Sequence, residues 1–185
     1  MKNNYLIDFD SIKNHTIDEL KTLLKQTDGL KVKDCLISDL VFYQGAPIYS
    51  GNGVYIFKSG NEFIYVGCCV ARNFVERIPA HFDLRVSGWF NSLLQRILDK
   101  QNQERTNEAL TEVGRIAIEN YSLILINFPL GDHNQNISNI KALETLLRTI
   151  LEPYNTYKHK KAIDTSRILI EYLTNTFIAP RVKAV

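Results

Sequence analysis

The chain has 185 residues, of which 45% are hydrophobic and 23% are charged, and its formal net charge is +2. This length suits one domain with a core of its own, and no apolar run approaches the ~18 residues that a membrane-spanning helix needs. A balanced charge neither indicates nor excludes a nucleic-acid partner, because the clustering of basic residues decides that question.

The N-terminal residues and the cysteines bear on cellular location. The chain begins without an apolar core followed by small residues, so we expect no signal peptide and a cytoplasmic protein. Two of the three cysteines, Cys68 and Cys69, are adjacent, and the odd count argues against a disulfide framework. No Cys-x-x-Cys or His-x-x-x-His spacing indicates a zinc site.

The first segment, 1–50, is predicted to be a helical extension. Residues 16–26 have the pattern of an amphipathic helix, and Thr16 and Glu19 have the spacing of a capping box at its start. An apolar run over 35–43 follows and ends in the turn sequence Gln-Gly-Ala-Pro.

The sequence GVYIFKSGNEFIYVG, residues 53–67, predicts a β-hairpin. Its β-branched and aromatic residues favour strands, and Ser59-Gly60-Asn61 is typical of a short turn. Because side chains alternate along a strand, Tyr55 and Tyr65 are expected on the same face. Considered alone, these phenols favour a stabilising cross-strand pair, worth ~0.2–1 kcal/mol, over a pair set up for chemistry.

Two helices are predicted after the hairpin. Asn73 as N-cap and Glu76 three residues later start the first one, and Pro79 should kink it or limit its length. The sequence WFNSLLQRIL predicts the second. The polar stretch 99–108 is the candidate for an exposed loop or insertion.

A buried strand and two further helices complete the chain. The strand is predicted over 121–128, one helix is strongly periodic and ends at Pro153, and the other covers about 164–175. Together the elements predict an α+β protein, or α/β sandwich. A small three-stranded mixed β-sheet would start with the β-hairpin and be flanked by helices.

Four residues outside the hairpin are candidates for chemistry, and each has a plainer explanation. Arg77 and His81 lie four positions apart, so they would share a helix face over the tyrosines or form a surface pair. Glu144 falls on the shoulder of an apolar stripe, where a carboxylate needs a cation or metal, and an ion pair with Arg148 would serve equally well. Asn155 follows the same helix and also suits a turn.

Taken in order, these residues resemble the motifs of the GIY-YIG nuclease family. That family carries Gly-Ile-Tyr and Tyr-Ile-Gly on a hairpin, an Arg and then a His on the next helix, a Glu on a later helix and an Asn after a Pro. The corresponding segments here are Gly53-Val54-Tyr55, Tyr65-Val66-Gly67, Arg77 with His81, Ala142-Leu143-Glu144 and Pro153-Tyr154-Asn155. The resemblance covers 51–157, makes 99–117 an insertion, and leaves 158–185 as a C-terminal helical extension.

The resemblance implies a metal-dependent endonuclease that hydrolyses the phosphodiester bonds of DNA. Glu144 would bind a single Mg²⁺ or Mn²⁺ ion, and Arg77 would stabilise charge on the phosphate. Tyr55 would orient or deprotonate the attacking water, and acting as a base would require its pKa to fall below the usual ~10. The implied catalytic set is Tyr55, Tyr65, Arg77, His81, Glu144 and Asn155.

The other members of the set have supporting roles in this scheme. Tyr65 would hold a phosphate oxygen or the water, His81 would assist proton transfer or bond Tyr55, and Asn155 would fix the geometry. Basic residues would contact the DNA backbone, although a solvated charged surface explains each cluster too. They are Lys58, Arg72, Arg85, Lys158, Lys160 and Lys161.

The biological role stays open on the sequence alone. A sequence-specific, restriction-type enzyme is the first choice, acting as a homodimer where both strands are cut. A structure-specific DNA repair or recombination nuclease, a catalytically weak nucleic-acid-binding module and a protein-interaction domain with a chance motif are the alternatives. Two departures from the family pattern concern phosphate contacts: Cys68 stands where Ser or Lys is frequent, and Pro79 interrupts the helix of Arg77.

Overall fold

The computed structural model describes residues 4–156 and 163–175. Its strands are β1 (Leu6–Asp8), β2 (Leu30–Lys31), β3 (Phe42–Tyr43), β4 (Ala46–Pro47), β5 (Gly53–Ser59), β6 (Glu62–Cys69) and β7 (Ser122–Asn127). Its α-helices are α1 (Phe9–Ile12), α2 (Ile17–Gln26), α3 (Phe74–Ala80), α4 (Ser92–Gln101), α5 (Asn107–Asn120), α6 (His133–Ile150) and α7 (Leu169–Leu173). Among the described residues, no helix combines the length and the apolar character needed to cross a bilayer.

A mixed β-sheet organises the fold, and it confirms the predicted α+β class. Strands β1, β7, β5 and β6 lie side by side in that order, and β2 also pairs with β7. The predicted hairpin is formed by β5 and β6, with Ser59 opposite Glu62 across a two-residue turn. Its turn residue Gly60 has a φ of 56°, a left-handed conformation that glycine adopts readily. β7 is antiparallel to β5 and parallel to β1.

The sheet contains two short strands beyond the three that the sequence predicts. β1 and β2 are three and two residues long, too short to show the alternation by which a strand is recognised. Both pair with β7. The segment 1–50 is therefore not only helical, because it completes the central sheet as well.

Helices cover both faces of the sheet. On one face α2, α6 and α7 pack against residues that include Val54, Ile56 and Val66. On the other, α3, α4 and α5 pack against residues that include Tyr55 and Phe57. Because side chains alternate along β5, Tyr55 of the first motif packs in one core and its neighbours Val54 and Ile56 pack in the other.

The stretch predicted to be an exposed loop, 99–108, is shorter than expected. Helix α4 continues to Gln101 and α5 begins at Asn107, where the Thr106 hydroxyl accepts a hydrogen bond from the backbone of Ala109. Helix α5 buries three apolar side chains in the core, namely Leu110, Val113 and Ala117. The segment 99–117 therefore adds to the core, although its polar start suggested an exposed insertion.

The helix that carries Arg77 forms as predicted. Asn73 caps α3 by accepting a hydrogen bond from the backbone N–H of Glu76, and the helix ends one residue after Pro79. The last helix, predicted over about 164–175, begins only at Leu169; its α-helical part covers Leu169–Leu173, and residues 174 and 175 continue it as a π-helix. Most of the predicted extension 158–185 lies outside the described residues.

Candidate active site

Tyr55 and Tyr65 lie on the same face of the hairpin, as the sequence predicts. Their rings are stacked, with centroids 6.3 Å apart and planes 17° apart. Tyr55 is paired with Gly67 across the hairpin. A Cβ atom at Gly67 would lie only 2.3 Å from the Tyr55 hydroxyl oxygen. The glycine of the second motif is therefore the residue that makes room for the tyrosine of the first.

His81 lies over this tyrosine pair, also as predicted. Its Nε2 atom is 2.7 Å from the Tyr55 hydroxyl, and its Nδ1 atom accepts a hydrogen bond of 3.3 Å from the backbone N–H of Leu93. Since Nδ1 accepts, the neutral ring carries its proton on Nε2 and donates it to the Tyr55 oxygen. The hydroxyl proton of Tyr55 then remains for another acceptor.

Burial keeps both partners of this hydrogen bond neutral. Tyr55 and His81 have no exposed surface. Desolvation, helped by the positive charge of Arg77, lowers the pKa of His81 to about 3. Burial, and then the neighbouring Tyr65, raises the pKa of Tyr55 above its ordinary value, although Arg77 acts in the opposite direction. This environment favours an orienting role for Tyr55 over the role of a phenolate base.

The enclosed histidine should make stability depend on pH. Unfolding restores the ordinary pKa of 6.5, so between pH 6.5 and 3 the unfolded chain binds one proton more than the folded chain. Stability should therefore fall by up to ~1.4 kcal/mol per pH unit as the pH decreases through this range. Urea unfolding at pH 7, 6, 5 and 4 measures this slope. His81→Gln should make it shallower, whereas His15→Gln, at a half-exposed position, serves as the control; equal slopes in all three proteins would contradict the assignment.

Arg77 lies between the buried tyrosine pair and the protein surface. Its guanidinium is close enough to the Tyr55 hydroxyl for its charge to lower the pKa of that phenol, against the larger effect of burial. The same guanidinium lies 4.7 Å from the ring centroid of Phe90, and that of Arg72 lies 4.5 Å from the same centroid. Arg77 is half-buried while Tyr55 is enclosed, so the guanidinium is the part of this cluster that an anion can approach.

Glu144 approaches from the opposite face of the sheet, on the apolar shoulder of α6. Its Oε2 atom accepts a hydrogen bond of 3.2 Å from the thiol of Cys68, and burial together with this carboxylate raises the pKa of that thiol to about 12. The ion pair with Arg148 that the sequence also allowed has a long N–O distance of 3.9 Å. Arg148 makes a closer contact of 2.8 Å with the backbone oxygen of Asn155.

The tyrosine cluster and Glu144 lie on opposite faces of the sheet, and both are near the edge strand β6. Cys68 packs with the core of α6, and its neighbour Cys69 packs with the core of α3. The charges of Arg77 and Glu144 both act on these cysteines. A cavity of about 570 Å³ opens nearby, lined by residues that include Glu76, next to Arg77, and Lys141, one helical turn before Glu144. Its lining includes neither Arg77 nor Glu144 themselves.

Asn155 is hydrogen-bonded to β6, the strand that carries the second motif. Its side-chain amide donates to the Val66 carbonyl oxygen over 2.7 Å and accepts from the Val66 N–H over 3.2 Å. The backbone N–H of Tyr154 bonds to Ile64 in the same strand. Asn155 therefore fixes the strand beside Gly67, and both polar atoms of its buried amide are used in this pairing; a role in fixing the geometry of a catalytic site stays a prediction.

The predicted DNA contact of Lys58 is corrected by the structure. Lys58 is only 4% exposed, and its ammonium donates hydrogen bonds to the carbonyl oxygens of Lys25 and Thr27 at the end of α2. Alternation along β5 places Lys58 on the face that α2 covers. Its ammonium therefore caps the C-terminus of that helix and is not available to a phosphate.

The other predicted DNA contacts differ in exposure and in ion pairing. Arg72 is exposed beside the cavity. Arg85 is exposed too, but it forms an ion pair of 2.6 Å with Asp83. The remaining three, Lys158, Lys160 and Lys161, lie outside the described residues.

Three partners of the site were missed by sequence reasoning. Ser92 Oγ lies 3.0 Å from the Tyr65 hydroxyl, the Leu93 N–H binds His81, and the Cys68 thiol binds Glu144. The sequence predicts a helix over WFNSLLQRIL, whereas the helix begins only at Ser92, and no sequence signal would bring this start beside Tyr65. The other two contacts equally depend on how distant elements pack.

The donor set suits a hard cation held by few protein ligands. Within residues 4–156 and 163–175, no three His, Cys, Asp or Glu side chains are grouped as a metal centre. Glu144 is a single carboxylate, one fifth exposed, on the shoulder of α6. Mg²⁺ commonly binds through one or two carboxylates and completes its shell with waters and phosphate oxygens. Glu144 fits that requirement.

Comparisons with protein-family models, with curated proteins and with solved structures found no match to this chain. The resemblance to the GIY-YIG nucleases therefore rests on the motifs in the sequence. The structure brings the side chains of Tyr55, Tyr65, Arg77 and His81 into one cluster.

Proposed function

We propose that the chain is a divalent-metal-dependent endonuclease that hydrolyses phosphodiester bonds in DNA. The observation that carries the proposal is the polar cluster inside an otherwise apolar core. An enclosed phenol, Tyr55, is hydrogen-bonded to an enclosed neutral imidazole, His81, and lies beside the guanidinium of Arg77. Such buried networks are costly unless each member has a partner, and they hold their members in defined orientations. Here the member held at the surface is a phosphate-binding group.

The chemistry follows from which groups a phosphate can reach. Arg77 offers a planar set of donors to the phosphate oxygens, so it would stabilise the charge that develops as water attacks phosphorus. A divalent cation bound to Glu144 would supply charge neutralisation at the phosphate and a more acidic bound water. Tyr55 and His81 are enclosed in the described conformation, so they would position Arg77.

On the sequence alone, a sequence-specific, restriction-type enzyme that cuts as a homodimer is the first choice of biological role. A structure-specific repair or recombination nuclease is the second. A catalytically weak binding module is the third, and the enclosure of Tyr55 favours that alternative more than any other feature does. The cleavage pattern on mixed DNA separates the first two roles, since fixed sites indicate restriction and flaps or junctions indicate repair.

A plasmid-nicking assay tests the activity. The wild-type protein should nick supercoiled DNA with Mg²⁺ or Mn²⁺ and not with EDTA. Glu144→Gln should reduce the rate about 100-fold or more, because it removes the charge that holds the cation. Glu112→Gln is the matched control, since Glu112 is an exposed partner of Arg115 far from the cluster in the chain. A wild-type protein that binds DNA but cuts no substrate with either metal would refute the nuclease proposal.

A further inference from the structure

Trp89 is the most exposed large hydrophobic side chain among the described residues, with 88% of its surface accessible. Its ring stacks on Phe90, with centroids 5.9 Å apart and planes 19° apart. Phe90 in turn lies beneath the guanidinium groups of Arg72 and Arg77. We call these four residues the Trp89 platform. The platform thus combines an exposed indole ring with two cations held over a neighbouring aromatic ring.

The loop that presents the platform is held in a defined shape. Asn91 is fully buried, and its side-chain amide donates hydrogen bonds of 2.9 Å and 2.7 Å to the carbonyl oxygens of Asp83 and Arg85. The backbone N–H of Gly88 also bonds to Arg85, over 2.8 Å. Trp89 is therefore displayed by an ordered turn, so the ring would lose little freedom on binding a partner.

The chemistry of the platform fits a nucleobase beside a phosphate. A single aromatic ring, Phe90, separates Trp89 from Arg77, the proposed phosphate ligand. Two guanidinium groups next to a flat aromatic surface complement an anionic strand that also offers flat bases. An apolar partner protein would instead have to desolvate both cations without compensation.

We propose that Trp89 stacks on an unpaired base of the DNA strand next to the phosphate held by Arg77. This inference rests on the proposed nuclease function and names its substrate class. In a continuous duplex each base face is covered by its neighbours, so a stacking residue at this position selects DNA with unpaired nucleotides. The platform thus favours the structure-specific role over the restriction-type role.

The tryptophan itself reports on the test, because the chain contains only one. With EDTA present, so that no strand is cut, a 12-nucleotide oligothymidine should quench the intrinsic fluorescence more strongly than a 12-base-pair duplex does. Trp89→Ala should weaken oligothymidine binding about 10- to 100-fold and leave duplex binding within about 2-fold. Trp89→Phe should retain most of the affinity. Ile37→Ala, at another exposed apolar position, is the control.

Three results would overturn the inference. Equal quenching by oligothymidine and duplex would remove the preference for unpaired bases. Unchanged oligothymidine affinity in Trp89→Ala would remove the stacking contact. Conversion of a dimer to a monomer by Trp89→Ala in sedimentation equilibrium, without an effect on binding, would show that a second copy of the chain covers the platform.

The outcome is separable from that of the nuclease proposal. A wild-type protein that binds oligothymidine through Trp89 but never cuts DNA would keep this inference and refute the nuclease function. A wild-type protein that nicks plasmid while Trp89→Ala binds every probe normally would do the reverse.

Discussion

Replacement of Gly53 by alanine should destabilise the protein more than other single methyl additions to its glycines. A Cβ atom there would lie 1.9 Å from the backbone oxygen of Ile126 in β7 and 3.1 Å from the ring of Phe74. Neither obstacle is the free end of a flexible side chain, because one is the central strand and the other is a fully buried ring. We expect a loss of about 3 kcal/mol or more in the free energy of unfolding, out of a typical 5–15 kcal/mol.

Chemical denaturation of the two proteins measures this loss. Gly131→Ala is the control, because its added Cβ would meet only the end of the Asn136 side chain, at 3.8 Å. It should change the unfolding free energy by less than about 1 kcal/mol. If Gly53→Ala were as stable as Gly131→Ala, the close approach of β7 to the first motif would be wrong.

The glycines of the two motifs are therefore required for different physical reasons. Gly53 lets the strand of the first motif pass against β7, and Gly67 leaves space for the ring of Tyr55. The second explanation depends on the tyrosine being inside the core, where it meets His81 and Arg77. The resemblance to the family motif is thus also a packing requirement of this chain, and it does not by itself demonstrate an activity.

Local signals were sufficient to predict the hairpin and the start of α3. The turn at Gly60 and the alternation of β-branched residues define β5 and β6, and the capping side chain of Asn73 acts within three residues. Such features are governed by short-range sterics and hydrogen bonds, so they can be inferred without the rest of the fold.

The features that escaped prediction depend on long-range packing. β1 and β2 are strands only because β7 offers them an edge. The burial of Lys58 requires the end of α2 to arrive beside β5. The pairing of Asn155 with Val66 joins residues far apart in the chain. In each case the sequence supplies a residue type that suits several environments, and tertiary contacts select one of them.

Arg77→Lys should cause a large loss of activity although it leaves the charge of the side chain unchanged. The planar guanidinium can offer two parallel hydrogen bonds to a phosphate while it contacts Tyr55 and Phe90, whereas an ammonium is a point charge with a different reach. By analogy with the removal of a preorganised donor, kcat should fall about 100- to 1,000-fold. The midpoint of thermal unfolding should change little, since the charge and most of the aliphatic stem remain.

Arg72→Lys is the matched control for this prediction. Arg72 lies over the same Phe90 ring at a nearly equal distance, 4.5 Å against 4.7 Å, but it is exposed whereas Arg77 is half-buried. Its replacement should raise KM a few-fold and leave kcat within about 3-fold, because it alters a backbone contact of the substrate and not the reacting phosphate. Steady-state kinetics of nicking on one plasmid separate the two parameters. Equal losses of kcat in both variants would show that the ring contact, and not the network of Tyr55 and His81, makes Arg77 important.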